Sequence, residues 1–250
     1  NKVSFTLEFD RPTDPFMKSL VKAAEASLHT YISPEIEATI TPSAKHVAPQ
    51  PSERPLAGVR NIVGISSGKG GVGKSTVACN LAVALAREGY KVGLLDADIF
   101  GPSMPKMFGV EDEKLYMHHV DGKEKIIPAH KYGVKLLSIG FLVDKDSAVL
   151  WRGGMASNAL KQLISDGDWG ELDYFLIDMP PGTSDIHLTL VQTLDITGTV
   201  IVTTPQDVAL ADARKGISMF TGKQVNVPIL GLVENMAWFT PEEHPDERYY

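Results

Sequence analysis

The chain has 250 residues, with 24 Lys and Arg against 31 Asp and Glu; a net charge of −7 without a dense Lys/Arg run argues against nucleic acid as the main partner. Its 43% hydrophobic and 22% charged residues are typical of a folded protein and exclude global disorder. The longest uncharged stretch, Ser75–Ala86, is shorter than the roughly 18 apolar residues of a membrane-spanning helix, so we expect no membrane partner.

The first segment has the pattern of a strand, a helix and a second strand. Apolar and polar residues alternate over Val3–Phe9, which predicts a strand. Thr13–Pro15 is a typical helix start, and apolar residues then recur at helical spacing over Phe16–Leu28. Glu35–Thr41 is predicted to be the second strand. Because so small a piece is marginally stable alone, we expect residues 1–42 to be part of a small α/β domain cut at its start.

A proline-rich stretch follows this unit. Residues 43–58 contain Pro49, Pro51 and Pro55 among mostly polar residues. Because such a composition favours extended backbone, we expect a semi-rigid linker. Residues 59–250 would then form a second, larger domain, and we expect the C-terminal part of that domain to be missing from the chain.

From Val59 onward short apolar runs alternate with helical stretches. The runs that predict strands are Ile62–Ile65, Val92–Leu95, Phe175–Ile177, Thr199–Val202 and Ile229–Val233. The stretches that predict helices include Ser75–Arg87, Ala156–Ile164 and Val208–Phe220. Apolar strands joined by helical crossovers are typical of a three-layer α/β fold with a mostly parallel sheet. Tyr116–Lys135 has two short alternating pieces and is expected to lie at the sheet edge.

The most specific motif in the chain is a glycine-rich loop. Its residues match the phosphate-binding pattern G-x-x-x-x-G-K-[ST] as Gly68-Lys69-Gly70-Gly71-Val72-Gly73-Lys74-Ser75. An apolar strand precedes the loop and an Ala/Leu-rich helix follows it. Glycines allow main-chain N–H groups to curve around phosphate oxygens, and the helix N-terminus adds partial positive charge. A glycine-rich turn without a ligand is the alternative, which this strand–loop–helix context disfavours.

Side chains of this loop have separate predicted roles. Lys74 should reach the β- and γ-phosphates, and Ser75 should offer its hydroxyl oxygen to Mg²⁺. Lys69 adds a second cation, which is either a solvated loop lysine or a contact to nucleotide, including that of a neighbouring subunit. The expected nucleotide contacts are Gly68, Gly70, Gly71, Val72, Gly73, Lys74, Ser75 and Thr76.

Carboxylates follow two of the predicted strands. Asp96 and Asp98 come directly after Val92–Leu95, and Asp178 comes directly after Phe175–Ile177. Parallel sheets bind ligands beyond the C-terminal ends of their strands, and alternate spacing would point Asp96 and Asp98 to the same side if the strand geometry continues. Either could bind Mg²⁺ through water or orient an attacking water, with strand-end capping as the alternative. Asp178 stands where a carboxylate typically holds Mg²⁺ through water.

Two later residues could complete a nucleotide site. Gly182, four residues after Asp178, could present its N–H to the γ-phosphate, so that its loop senses hydrolysis. Asn235 closes the last predicted strand, and its amide can donate and accept hydrogen bonds and so read an adenine edge. A turn asparagine is the alternative for Asn235.

Together these motifs resemble the deviant-Walker ATPases, the group that contains MinD, ArsA and the nitrogenase iron protein. They are similar in particular to the Mrp/ApbC family of iron–sulfur cluster carriers. The matching segments are Ser67–Thr76, Asp96–Pro105, Trp151–Gly153, Asp178–Thr183 and Glu234–Met236, within a match over Val59–Phe239. The first segment of the chain resembles the second half of a small domain often fused ahead of such carriers.

The resemblance implies a role for each matching residue. Lys69 would reach across a dimer to the partner's phosphates, and Lys74 would act on the bound phosphates. Asp98 would position the attacking water, and Asp96 and Asp178 would hold Mg²⁺ through water. The adenine reader would be Asn235. The implied assembly is a homodimer that encloses two ATP molecules, with iron–sulfur client or scaffold proteins as further partners.

The chain departs from this family at the cluster ligands. A Cys-x-x-Cys usually follows Glu-Asn-Met and holds a cluster between the subunits, but here Pro241 and His244 stand about where the cysteines would be. The single cysteine, Cys79, fits a reducing compartment, so we expect a cytoplasmic location. A cubane cluster is usually held by about four thiolates. A cluster could therefore bind here only through other ligands, with His244 as a weak substitute for a cysteine. Gly154 replaces a family proline, with little expected effect.

Three functions are consistent with these observations. The first is a Mg²⁺-dependent ATPase that couples hydrolysis to iron–sulfur cluster handling. The second is an ATP-controlled protein-binding switch that carries no cluster, because the cysteine pair is absent. The third, a MinD-like positioning ATPase, needs a basic amphipathic helix at its C-terminus, and the sequence up to Tyr250 does not predict one.

Overall fold

The structure is a computed structural model that describes residues 2–9, 17–33, 35, 37–44, 55–99, 101–120, 122–142, 153–223 and 225–250. Two compact units make up the chain, residues 1–52 and 53–250. Among the residues described, no helix has the length and hydropathy needed to cross a membrane.

The first unit is a strand–helix–strand. Strand β1 (Lys2–Phe9) and strand β2 (Glu37–Ala44) pair in parallel, with helix α1 (Met17–Tyr31) between them in sequence. Strand β2 continues three residues past the predicted end at Thr41 and includes Pro42, which is opposite Leu7. Both strands of a two-stranded sheet are edges, so a missing N–H is tolerated there. The predicted helix start at Thr13–Pro15 lies outside the described residues.

The second unit contains a seven-stranded sheet in the order β11-β10-β3-β9-β4-β8-β7. Its strands are β3 (Val59–Ser66), β4 (Val92–Asp96), β7 (Ala129–Lys131), β8 (Val134–Ser138), β9 (Leu172–Asp178), β10 (Gly198–Thr203) and β11 (Ile229–Glu234). Strands β5 (Met117–Val120) and β6 (Lys123–Ile126) form a separate antiparallel pair. In the seven-stranded sheet every pairing is parallel except that of β7 with β8.

Helices cover both faces of this sheet. They are α2 (Lys74–Arg87), α3 (Met104–Phe108), α4 (Gly153–Asp166), α5 (Asp185–Thr193) and α6 (Asp207–Thr221). Side chains of α2 and α3 pack in one hydrophobic cluster, and side chains of α4, α5 and α6 pack in the other. On β9, Phe175 and Ile177 belong to one cluster and Leu176 to the other, as alternation along a strand requires. The predicted three-layer, mostly parallel fold is therefore confirmed.

The predicted excursion at Tyr116–Lys135 was only partly right. Strand β7 does form the sheet edge, but β8 begins at Val134 and lies inside the sheet, between β4 and β7. The sequence signal for β8 is weak because Lys135 interrupts its apolar run. The structure accommodates this lysine because its Nζ donates to the carbonyl oxygens of Asp168 (3.0 Å) and Trp169 (2.8 Å).

Candidate functional site

The sheet topology brings the predicted motifs together at the C-terminal ends of neighbouring strands. Strand β9 lies between β3 and β4, and Asp178 is level with Ile65 on one side and Asp96 on the other. Strand β3 ends at Ser66, and the glycine-rich loop begins two residues later, at Gly68. A cleft of about 270 Å³ opens here, lined by Ser67, Gly70, Gly71, Gly73, Lys74, Ser75, Thr76, Asp98, Pro181 and Met236. A larger cleft of about 530 Å³, lined within residues 112–130, contains none of the predicted site residues.

The local structure explains why three positions of the loop are glycine. Gly71 (φ 80°) and Gly73 (φ 87°) adopt left-handed backbone that other residues rarely tolerate. A Cβ on Gly68 would lie 2.5 Å from the Ala213 N atom and closer still to the carbonyl group of Asp212, both on the backbone of α6. The loop therefore packs directly on that helix, a contact that no sequence pattern predicted.

Lys74 lies at the centre of a buried charge cluster. Its side chain is 6% exposed, and its Nζ lies 2.6 Å from Asp178 Oδ1 and 3.7 Å from Asp98 Oδ2. It also donates to Ser75 Oγ at 3.3 Å. Two carboxylates thus neutralise this lysine, and a phosphate group would have to compete with them for it. By contrast, Lys69 and Thr76 are exposed at the mouth of the loop.

Asp178 has the properties expected of a ligand for a divalent cation. Its side chain is fully buried; Oδ1 contacts Lys74, whereas Oδ2 has no hydrogen-bond partner among the described residues. Burial raises the pKa of this carboxyl, and the charge of Lys74 opposes that shift. A buried carboxylate oxygen left without a donor, beside the Ser75 hydroxyl, is a donor set that suits Mg²⁺.

Mg²⁺ would also need oxygens from a nucleotide. Among the residues described, no cluster of three or more His, Cys, Asp or Glu side chains could hold a metal by itself. Mg²⁺ is usually bound by one or two carboxylates together with waters and phosphate oxygens.

Both carboxylate oxygens of Asp96 accept hydrogen bonds within the protein. Its Oδ1 accepts from the Asp98 N–H (3.2 Å), and its Oδ2 accepts from the Met104 N–H (3.1 Å) and the Ser138 hydroxyl (2.9 Å). Burial, followed by the charge of Asp178, raises the pKa of Asp96 to about 7. The structure therefore shows Asp96 holding the loop that contains Asp98; its role toward Mg²⁺ stays a prediction. Sequence reasoning missed Ser138, because it lies at the end of the unpredicted strand β8.

Asp96 and Asp98 have different surroundings in the structure. Strand β4 ends at Asp96, so the alternation of side chains does not continue to Asp98. Asp96 faces Ser138 on β8, whereas Asp98 lines the cleft near Lys74. This arrangement leaves Asp98 as the cleft-lining carboxylate of the pair.

Gly182 and Asn235 both bind the glycine-rich loop. The Gly182 N–H donates to the Ser67 carbonyl at 2.9 Å, so contact with a phosphate would require release of that bond. Asn235 Nδ2 donates to the Val72 carbonyl at 2.9 Å, and its own N–H donates to Thr203. In the structure Asn235 therefore binds the glycine-rich loop. Recognition of adenine by Asn235 stays a prediction.

The segment that replaces the family cysteines forms a closed turn. Phe239 and Tyr249 exchange two backbone hydrogen bonds, of 2.8 and 2.9 Å, and His244 is exposed beside Glu247. Cys79 is half-buried in α2, where burial, followed by the charge of Asp178, raises the pKa of its thiol. Of the other matching residues, Phe100, Trp151 and Arg152 lie outside the described residues.

Comparison with known proteins agrees with this geometry. Residues 58–250 match the family model described as ParA, NUBPL iron-transfer P-loop NTPase. The iron-sulfur cluster carrier protein of Synechocystis sp. is 45% identical over 248 residues, covering 99% of this chain and 70% of that protein. The protein of the same name in Escherichia coli K12 is 54% identical over 193 residues, covering 77% of this chain and 50% of that protein.

A solved structure supports the same assignment. It is the nucleotide-binding protein in complex with ADP from Archaeoglobus fulgidus, which is 40% identical with a TM-score of 0.67 and covers 79% of this chain and 75% of that one. The family match confirms the resemblance that the motifs predicted. The chain therefore belongs to the ParA family of P-loop NTPases, in its NUBPL iron-transfer group.

Proposed function

We propose that the chain is a Mg²⁺-dependent ATPase of the iron–sulfur cluster carrier type, working as a homodimer that encloses two ATP molecules. The observation that carries this proposal is the position of Lys74 between the glycine-rich loop and the carboxylates of Asp178 and Asp98. Iron–sulfur client or scaffold proteins would be its partners. We place it in the cytoplasm, on the ground that its single cysteine suits a reducing compartment.

Substrate binding begins with an exchange of partners at Lys74. The phosphates would lie over the loop amides and the N-terminus of α2, where partial positive charge favours them. Lys74 Nζ would then leave Asp178 for the β- and γ-phosphates. Because this cation is buried, its attraction to phosphate is stronger than it would be in water.

Mg²⁺ would be held by Ser75 and, through water, by Asp178 and Asp96. When bound, it supplies positive charge that neutralises the phosphate oxygens and so favours transfer of the γ-phosphoryl group. Asp178 needs such a cation once Lys74 has moved, because its buried carboxylate would otherwise be unpaired.

Two further residues would complete the reaction. Asp98 lines the cleft, where its carboxylate would orient the attacking water. Lys69 is exposed at the mouth of the loop and would contact the phosphates of the partner subunit's ATP. The Gly182 N–H would leave the Ser67 carbonyl and bind the γ-phosphate, so that this loop would respond to hydrolysis.

Hydrolysis by an Asp98→Asn variant tests this proposal. We expect the purified chain to hydrolyse ATP only with Mg²⁺, and the variant to bind ATP but hydrolyse it about 10²-fold more slowly, because the carboxylate that orients water is lost. Phosphate release and ATP titration measure the two effects. The exposed His119→Asn substitution is the matched control. Equal hydrolysis by the Asp98 variant and the control would contradict the assignment.

A switch without a cluster is the second candidate, favoured by Pro241 and His244 at the family's cysteine positions. A dimer offers two Cys79 thiols, half-buried in α2, against about four thiolates for a cubane cluster. If the chain is such a switch, no iron should survive desalting after anaerobic incubation with iron and sulfide, as measured by absorbance and iron content. A cluster that stays bound would reject the switch and favour carriage; Cys79→Ser and His244→Ala would then identify its ligands.

A further inference from the structure

We propose that His187 is a positioning residue. It holds the C-terminal end of the loop from Asp178 to Ser184, and so determines where that loop bends when the hydrogen bond from Gly182 to Ser67 changes. This inference rests on the proposed nucleotide function of that loop. His187 lies in the first turn of α5 and is fully buried. It is not among the residues that line the cleft.

The imidazole caps α5 in an unusual way. Its Nδ1 accepts from the Ser184 N–H at 3.1 Å, and the Ser184 hydroxyl lies 3.2 Å from the same nitrogen. In the common capping box this position is Glu or Gln. Because Nδ1 accepts, the proton of the neutral ring is on Nε2. Burial lowers the pKa of His187, which favours this neutral form.

The other ring nitrogen lacks a partner. His187 Nε2 is buried and makes no hydrogen bond to any described residue. A buried donor without an acceptor is destabilising. The arrangement is understandable if the loop has a second conformation that supplies an acceptor. In this structure the Pro180 backbone lies close enough to the ring to oppose the fall in its pKa, although Nε2 makes no hydrogen bond to a described residue.

Three N–H groups of the loop that His187 supports donate hydrogen bonds, two to backbone carbonyls and one to the His187 ring. Met179 N–H donates to Ile65, Gly182 N–H donates to Ser67, and Ser184 N–H donates to His187. If Gly182 leaves Ser67 for a phosphate, the first and third bonds become the fixed ends of the moving segment. His187 then determines the C-terminal end of that segment.

The ring itself is held by the same helix that supports the glycine-rich loop. It packs against Phe220 of α6 with ring centroids 6.1 Å apart. The backbone of α6 at Asp212 also lies against Gly68. Both the glycine-rich loop and the ring that caps α5 therefore pack on the same helix, α6.

Steady-state hydrolysis by His187→Leu and His187→Asn tests the inference. The Asn side chain keeps an acceptor near the position of Nδ1, whereas Leu removes it. We expect the Leu variant to lose about tenfold in kcat with KM changed less than about twofold, and the Asn variant to recover most of the loss. His119→Leu, on an exposed strand, is the matched control. A merely structural role would instead lower the melting temperature and leave kcat per folded molecule unchanged.

Amide hydrogen exchange separates failure of this inference from failure of the proposed function. We expect residues 182–185 to exchange about tenfold faster in the Leu variant than in wild type, with the Asn variant near wild type. This readout does not depend on hydrolysis, so it decides the role of His187 even if the wild type proves inactive. Unchanged exchange, unchanged kcat in the folded Leu variant, or an Asn variant as impaired as Leu would overturn the inference.

Discussion

Replacing Lys74 with alanine should abolish ATP hydrolysis and also destabilise the protein before any nucleotide is added. The catalytic loss should be about 10³-fold or more, because one preorganised charge at a phosphoryl group in a buried site is worth that much. The second effect has a separate cause. Lys74 is the cation of a buried cluster with Asp178 and Asp98, and removal of one member of a buried ion pair typically costs about 3–5 kcal/mol.

The destabilisation should depend on pH in a defined direction. Lys74 lowers the pKa of Asp178, so its loss raises that pKa further above the value in the unfolded chain. An acid with a raised folded-state pKa binds more protons when folded, so its contribution to stability falls as pH rises toward that pKa. The gap in melting temperature between wild type and Lys74→Ala should therefore widen as pH rises through the range in which Asp178 of the folded variant loses its proton.

Lys69→Ala is the matched control for this experiment. Lys69 belongs to the same loop but is exposed, and substitutions of such residues usually change stability by less than about 0.5 kcal/mol. Melting curves by calorimetry across the pH range, with phosphate release at pH 7.5, measure both effects. The charge cluster would be refuted if Lys74→Ala melted like Lys69→Ala at every pH.

Gly68→Ala should be the most damaging of the glycine substitutions in the loop. The added Cβ would overlap the backbone of α6 at Asp212 and Ala213, and backbone in a packed helix cannot move aside as a flexible side chain can. We expect a loss of about 3 kcal/mol, or roughly 6–12 °C in melting temperature for a domain of this size. Nucleotide affinity should fall too, because the loop must shift away from α6.

Gly70→Ala separates this steric effect from a general sensitivity of the loop. At Gly70 the nearest atom to an added Cβ is Pro181 Cβ at 4.0 Å, and its φ is not in the left-handed region. Its melting temperature should stay close to that of wild type, with less than about 0.5 kcal/mol of change. Thermal unfolding of the two variants side by side measures the difference. Equal losses would mean that contact with α6 is not what requires glycine at position 68.

Sequence patterns were sufficient to predict the features that depend on residues close together in the chain. The phosphate loop, the apolar strands around it and the acidic strand ends were predicted because glycine freedom, alternation and helical spacing act over a few residues. The family match confirms the overall resemblance. The individual roles of Lys69, Asp98 and Asn235 remain predictions, to be tested as above.

Contacts between distant segments could not be predicted in this way. Strand β8 was missed because Lys135 looks polar in sequence, although carbonyl groups 33 and 34 residues away bind its ammonium group. Ser138 and His187 gave no signal, since serine and histidine occur in many buried and exposed settings. The different surroundings of Asp96 and Asp98 depend on where β4 ends, and strand ends are hard to locate from sequence.

The amino-acid sequence alone determined the fold class, the phosphate-binding loop and the set of carboxylates available to it, because these follow from short-range periodicity and backbone freedom. Only the tertiary structure decided that Lys74 is shared by Asp178 and Asp98, that Asp96 is used to hold a loop, and that Gly68 rests on α6. The reason is physical. The order of strands in the sheet determines which distant segments meet, and burial at those meeting points sets the charges and the space that each side chain has.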